Sequence, residues 1–315
     1  MMEVYKFGGA SVKDAEGVRN VARIITLNED RRLLIVVSAM GKTTNALEEL
    51  TAAYFHQKEN THELLENIKG YHQAVLHELF PHEHPIHDEV ANLFVEIDWV
   101  LEDEPHPDYG FNYDQIVSVG ELVSSKIISS YLNEQGIRNS WVDARGLIQT
   151  DNTYQEGRVD WQKTDELINH TLPKVLQEQI AVTQGFIGGT SENFTTTLGR
   201  EGSDYSAGIF ASCLGAECVT IWKDVPGILN ADPKYFAETI KYDELPYSEA
   251  IEMTFYGATV IHPKTLKPLE NKKIPLYVRP FYAPDEPGSV VTETEVRIDI
   301  PAIILKHNQA LVSLS

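Results

Sequence analysis

Residues 33–39 read LLIVVSA, an apolar run of strand length that opens into the polar loop MGKTTN (40–45). A strand with one wet face alternates apolar and polar residues. A run without alternation is buried on both faces, as in a parallel sheet lying between two layers of helices. EVYKF (3–7) reads as a second buried strand, and it stops at Gly8-Gly9. Between the two runs, Val18, Val21, Ala22 and Ile25 recur at helical spacing over 14–27.

The same rhythm continues outward. Helical patterns cover about 45–56, 61–80 and 88–102, the second with Leu64, Leu65, Ile68, Tyr71, Val75 and Leu79 on one face. After the connector DEPHPDYG (103–110) come a longer helix over about 113–135, a strand at SWVDA (140–144) and a helix at 164–176 that Pro173 bends or restarts. IAVTQGFIG (180–188) and CVTIW (218–222) read as strands around a helix at 203–214. Helices near 247–256 and 263–270 precede the strand IPLYV (274–278). This alternation predicts an α/β fold with a mostly parallel sheet and helices on both faces, divided into lobes near 180–200.

The 315 residues suffice for one large domain or two lobes. The balance of 47 acidic against 26 basic residues gives a net charge of −21, which argues against nucleic acid and anionic membrane as partners. No apolar run reaches spanning length, and MMEVYKFGG lacks a signal-peptide core. Cys213 and Cys218 read as two buried small side chains in a reducing compartment.

Four polar clusters follow predicted strands or open helices, where ligands of open α/β sheets sit. Lys6-Phe7-Gly8-Gly9-Ala10-Ser11 pairs a cation with glycines that let backbone N–H groups approach a phosphate, although Gly-Gly after a strand is more often only a turn. Ser38 to Asn45 supplies hydroxyls for a carboxylate, or Thr44 simply caps the next helix. Ser118-Val119-Gly120-Glu121 sets a glutamate in an apolar helix, either to hold an ammonium or as a surface charge. TTTLGREGSDYSA (195–207) offers Arg200 as a planar fork for a carboxylate. It also brings Ser203 and Asp204 to the start of a helix, as caps, as anion contacts, or as an oxygen ligand for Mg²⁺. The cluster His82, His84, His87 and Asp88 has the residue types of a metal site, but its proline-flanked connector favours solvated histidines.

Taken in order, KFGGASV, SVGELVSS, QGFIGG, TTLGREGSDYSA, DVPGILNADP and GATVIHPKTL closely resemble the catalytic domain of aspartate kinase, within the amino acid kinase family. The resemblance runs from residue 2 to about 292. It implies a three-layer αβα sandwich with a mainly parallel sheet of about eight strands. It divides residues 1–295 into an aspartate-binding lobe (about 1–185) and a nucleotide-binding lobe (about 186–295). It also implies phosphoryl transfer from ATP, with Mg²⁺, to L-aspartate, at the head of lysine, threonine and methionine biosynthesis, in the cytoplasm.

The residue roles follow from the same resemblance. Lys6, Arg200 and Asp204 would be catalytic, Asp204 also meeting Mg²⁺ through ATP. Ser38, Thr44, Glu121, Arg200 and Ser203 would form the aspartate pocket. Lys6, Phe7, Gly8, Gly9, Lys223, Asp224, Leu229, Lys234, Thr259 and Val260 would contact the nucleotide. Three positions depart from the pattern, since the family often has threonine at 223, arginine at 234 and lysine at 259. Lys223 and Lys264 are the two candidates to supply a cation that Thr259 does not. Residues 296–315 resemble a linker and the first strand of an ACT-type regulatory module, truncated or absent, or a strand that docks elsewhere, as in a homodimer.

Overall fold

A computed structural model of the chain describes residues 2–27, 32–257, 261–296 and 298–305. The first half alternates as expected: β1 (Met2–Phe7), α1 (Ala15–Thr26) and β2 (Arg32–Val37), then α2 (Thr43–Phe55), α3 (Thr61–Leu79) and α4 (Ile86–Glu102). Asp14 starts α1 by accepting the Gly17 N–H at 2.8 Å, a side-chain cap. The single helix expected over 113–135 is two, α5 (Tyr109–Val117) and α6 (Val119–Glu134). They break at Ser118, where the bonds from Ser118 N to Asp114 O and from Leu122 N to Ser118 O stretch to 3.4 Å. The small residues of α6 serve close packing. A Cβ on Gly120 would lie 3.1–3.3 Å from Leu47, Ala39 and Thr43.

β3 (Asn139–Trp141) and β4 (Gln149–Thr150) follow, then α7 (Trp161–Glu178). Pro173 neither ends nor restarts α7. A buried stripe of Ile168, Leu172 and Leu176 holds the helix against the sheet and offsets the roughly 3 kcal/mol that an interior proline costs. The 180–188 run splits into β5 (Ile180–Gln184) and β6 (Ile187–Thr190), with Phe186 at φ 69° between them. β7 (Thr195–Thr197), α8 (Gly202–Leu214), β8 (Cys218–Lys223), β9 (Ile228–Leu229), β10 (Lys241–Tyr242) and β11 (Glu244–Pro246) lead to α9 (Tyr247–Tyr256). The described chain then forms α10 (Pro263–Lys272), β12 (Leu276–Pro280) and β13 (Ser289–Thr292).

Eight strands form the central sheet in the order β11-β13-β12-β8-β1-β2-β5-β3. From β12 to β3 all neighbours are parallel; β13 runs antiparallel to β12, and β11 follows β13. Alternation along the strands sorts the core into two layers. Tyr5, Phe7, Leu33, Ile35 and Val37 pack with α1 to α6 on one face. Val4, Leu34 and Val36 pack with α7, α8 and α10 on the other. Strands before residue 185 build one half of the sheet and strands after 217 the other, joined where β1 pairs with β8. The chain therefore reverses its direction of sheet growth at β1, the place where such sheets open a crevice at their carboxyl ends.

Ile298, Ile300 and Ile304 pack on the second core layer, and no strand forms over 298–305. The rest of the expected terminal strand, 306–315, lies outside the described residues. Cys213 and Cys218 are half-buried, not buried.

Candidate active site

The loops after β1, β2 and β8 and the start of α8 surround a cleft of about 790 Å³. Close backbone approach builds its floor. A Cβ on Gly9 would fall 2.6 Å from the Ala39 carbonyl oxygen, so the β1 and β2 loops meet only because that side chain is missing. A Cβ on Gly185 would fall 2.5 Å from Ser203 Cβ, which seats the start of α8 on the end of β5.

The expected caps are not used. Glu201 is the N-cap of α8, in the left-handed region at φ 54°, and gives no side-chain cap; Ser203 and Asp204 lie inside the first turn. α2 likewise starts after Lys42 with no side-chain cap, and Thr44 is in its first turn. Both helices thus turn uncapped N-termini toward the cleft that Thr44, Gly202 and Ser203 line, the arrangement that favours anions.

Lys6 and Asp204 meet beneath this cleft. Lys6 shares the sheet face of Val4, toward α8, and its Nζ lies 2.5 Å from Asp204 Oδ1. Lys223 Nζ lies 3.1 Å from Asp204 Oδ2. Burial opposes ionisation of Asp204, yet Lys223 and Lys6 hold it below the ordinary carboxylate range. Burial also opposes the charge on Lys223, but Asp204, Glu201 and Asp224 raise its pKa. Asp204 itself does not line the cleft. An ammonium faces each of its oxygens. Asp204 is the counter-ion that fixes two lysines.

Glu121 is buried and lines the same cleft. Oε1 accepts the Ala39 N–H at 3.2 Å, while Oε2 has no hydrogen-bond partner. Burial pushes this carboxyl up to about 8, against the lowering effects of the Ala39 N–H and Lys6. A buried acceptor without a donor is costly, and an ammonium group entering the cleft would supply three donors. Arg200 stands exposed on the wall, with Ser38 and Thr44 half-buried in the same enclosure.

The structure therefore gathers Lys6, Gly8, Gly9, Ser38, Thr44, Glu121, Arg200, Ser203, Lys223 and Asp224 around one cavity. Leu229 and Lys234 do not line it. Lys234 is an exposed turn residue whose N–H is held by Asp232. The Phe7 side chain turns into the opposite core layer, stacked on Trp222 at 6.3 Å, so only its backbone is near the cleft. Thr259 and Val260 lie outside the described residues. His77, His82 and His87 cluster as neighbouring rings and His84 pairs with Glu134, but among the described residues no group of three or more suitable side chains can hold a metal ion.

Sequence reasoning missed Glu48, Tyr113, Gln155 and Glu156 on the cleft wall. Tyr113 donates to Glu48 Oε1 at 2.7 Å. Behind them, the buried Asp114 accepts the N–H groups of Gln155 at 3.0 Å and Thr197 at 2.9 Å, and the Thr197 hydroxyl at 2.7 Å. Burial pushes its carboxyl up to about 7 despite those donors. None of these residues carries a local motif. Their roles arise from contacts between α5 and chain some 40 to 80 residues away.

The cleft sets cations at the sheet end and, beside them, a buried carboxyl with one unpartnered oxygen. The profile of the amino acid kinase family covers residues 1–280. Lysine-sensitive aspartokinase 3 of Escherichia coli (strain K12) is 34% identical over 99% of this chain and 69% of its own length. Aspartokinase 2, chloroplastic, of Arabidopsis thaliana is 32% identical over 99% of this chain and 58% of its own. The crystal structure of E. coli aspartokinase III in complex with aspartate and ADP superposes with a TM-score of 0.87 at 34% identity, covering 94% of this chain and 65% of that one. The chain thus spans between 58% and 69% of the length of these relatives. Among the described residues no helix is long and apolar enough to cross a membrane.

Proposed function

The chain belongs to the amino acid kinase family, and to the aspartokinases within it, and we propose that it transfers the γ-phosphate of ATP to the β-carboxylate of L-aspartate. The observation that carries the reading is Glu121 Oε2, a buried acceptor without a partner in a cleft that also holds Lys6 and Arg200. An amino-acid dianion with a free ammonium satisfies all three. The ammonium meets Glu121, the α-carboxylate meets the Arg200 fork, with Ser38, Thr44 and Ser203 around it, and the β-carboxylate faces Lys6.

The β-carboxylate is ionised at neutral pH, so the nucleophile needs no general base. One of its oxygens bonds to the γ-phosphorus as the bond from that phosphorus to the β,γ-bridging oxygen breaks, and ADP leaves with the electron pair. Positioning and charge neutralisation carry such a step. The nucleotide lies along Gly8-Gly9 and Lys223-Asp224 in this reading, and Mg²⁺ arrives bound to it. The product is 4-phospho-L-aspartate, an acyl phosphate for lysine, threonine and methionine synthesis. The resemblance extends the reading to a cytoplasmic homodimer, with the aspartate pocket before about residue 185 and the nucleotide site after it.

A coupled ADP-release assay against aspartate, glutamate and N-acetylglutamate tests the substrate. Activity with aspartate and none with N-acetylglutamate is expected, because an acetylated amine offers Glu121 no cation. Equal turnover of N-acetylglutamate would overturn the reading.

Two further results are expected. Arg200→Lys should raise the aspartate KM far more than the ATP KM, because lysine keeps the charge but loses the two-oxygen fork. Equal effects on both would give Arg200 a phosphate role instead. Aspartate binding should also release a proton. Glu121 is raised to about 8 without ligand, so it is largely protonated at pH 6.5, and the incoming ammonium favours its ionised form. Calorimetry at pH 6.5 in buffers of different ionisation enthalpy should find about one proton released per aspartate bound, and none in Glu121→Gln. An identical proton count in the two proteins would remove Glu121 from the ammonium site.

A further inference from the structure

Lys223 ends β8 two residues beyond Ile221, the residue in register with Lys6 of β1. Side chains two apart share a sheet face, so Lys6 and Lys223 point from adjacent strands to the same side, where α8 holds Asp204. Each ammonium takes one oxygen of that carboxylate. The side chains are 6% (Lys6), 0% (Asp204) and 16% (Lys223) exposed. One buried carboxylate thus holds two ammonium groups at the base of the cleft, and both lysines line the cavity while Asp204 does not. Lys264 is exposed in the first turn of α10 and does not line the cavity. Glu201 and Asp224 also face Lys223, but both are exposed on the rim.

We propose that Lys223 is a second phosphate-directed cation, held beside Lys6 by the shared carboxylate of Asp204, so that a polyphosphate entering the cleft meets two ammonium groups on neighbouring strands. The inference rests on the reading of the cleft as a phosphoryl-transfer site. In that step the bond from the γ-phosphorus to the bridging oxygen breaks and the β-phosphate of ADP gains charge. A lysine at the β8 end, beside the Lys223-Asp224 nucleotide edge, is placed to meet that charge, while Lys6 faces the transferring group. Asp204 is then a positioning residue that acts through both lysines.

The test uses Lys223→Met, Lys223→Gln and Lys223→Arg in the full chain, with ADP, AMP and aspartate affinities read by calorimetry beside steady-state kinetics. Both neutral variants should bind ADP at least tenfold more weakly, lose much less AMP affinity, and keep aspartate affinity within twofold. Lys223→Arg should recover most of the ADP affinity. ADP binding within twofold of wild type in either neutral variant would overturn the proposal. So would equal losses for ADP, AMP and aspartate, which would mean general damage to the cleft. The binding arm does not depend on the acceptor. Should the wild type fail to phosphorylate aspartate yet show the Lys223-dependent ADP affinity, the substrate reading falls and the assignment of Lys223 stands.

Discussion

Lys6→Ala is expected to lower kcat by about a hundredfold or more with both substrates saturating, while the protein keeps its fold. Removing a charge aimed at a transition state in a closed site typically costs about 3–4 kcal/mol of barrier. The fold should survive because the buried cluster tolerates this loss. Without Lys6, Asp204 still faces Lys223 at 3.1 Å, so no carboxylate is left buried without a cation. Circular dichroism and the thermal midpoint check the fold, and steady-state kinetics check the step. A variant with near wild-type kcat would remove Lys6 from the chemistry. One that unfolds would mean the ion pair is chiefly structural.

Asp204→Asn has the opposite profile. It is expected to cost stability as well as activity, because two lysines then share one site without the buried carboxylate between them. Breaking a buried ion pair by removing one partner typically costs about 3–5 kcal/mol. The asparagine keeps the volume, so packing should not account for the loss. Asp204 lies below the ordinary carboxylate range in the folded chain. Its contribution is therefore fully present above the unfolded value of about 3.9 and is lost as pH falls through the lower folded value. Denaturant titration at pH 7 reads the first effect. A wild-type midpoint falling steeply below pH 4, with a shallower fall in Asp204→Asn, reads the second. A variant within 1 kcal/mol of wild type at pH 7 would show that the lysines do not depend on Asp204. Kinetics on the same variant should show kcat falling with that stability, since misplacing both lysines affects the phosphates more than the aspartate pocket.

These two residues also mark where local sequence stops being informative. LLIVVSA and EVYKF determine the sheet by themselves, because only a strand covered on both faces can lack polar alternation. The alternation of runs and periodic segments then determines a parallel sheet with two helical layers, and the glycines after β1 mark where a ligand can approach backbone. Lys6, Arg200 and Glu121 were each visible as polar residues in apolar or glycine-rich surroundings, and Lys223 entered only through the family resemblance. The role of Asp204 was not visible. Sequence left it between helix cap and metal ligand, since both use a carboxylate at the start of a helix. Its contacts came only with the tertiary structure, because the β1–β8 register sets two lysines more than 200 positions apart on one face, opposite the first turn of α8. Distance along the chain likewise hides the cleft contacts of Gln155 and Glu156 and the placement of Leu229 and Lys234 away from the cavity. Periodicity reports which face of an element is apolar. It carries no record of which distant charge that face will meet, and charge here is settled by burial and neighbours that exist only once the strands have paired.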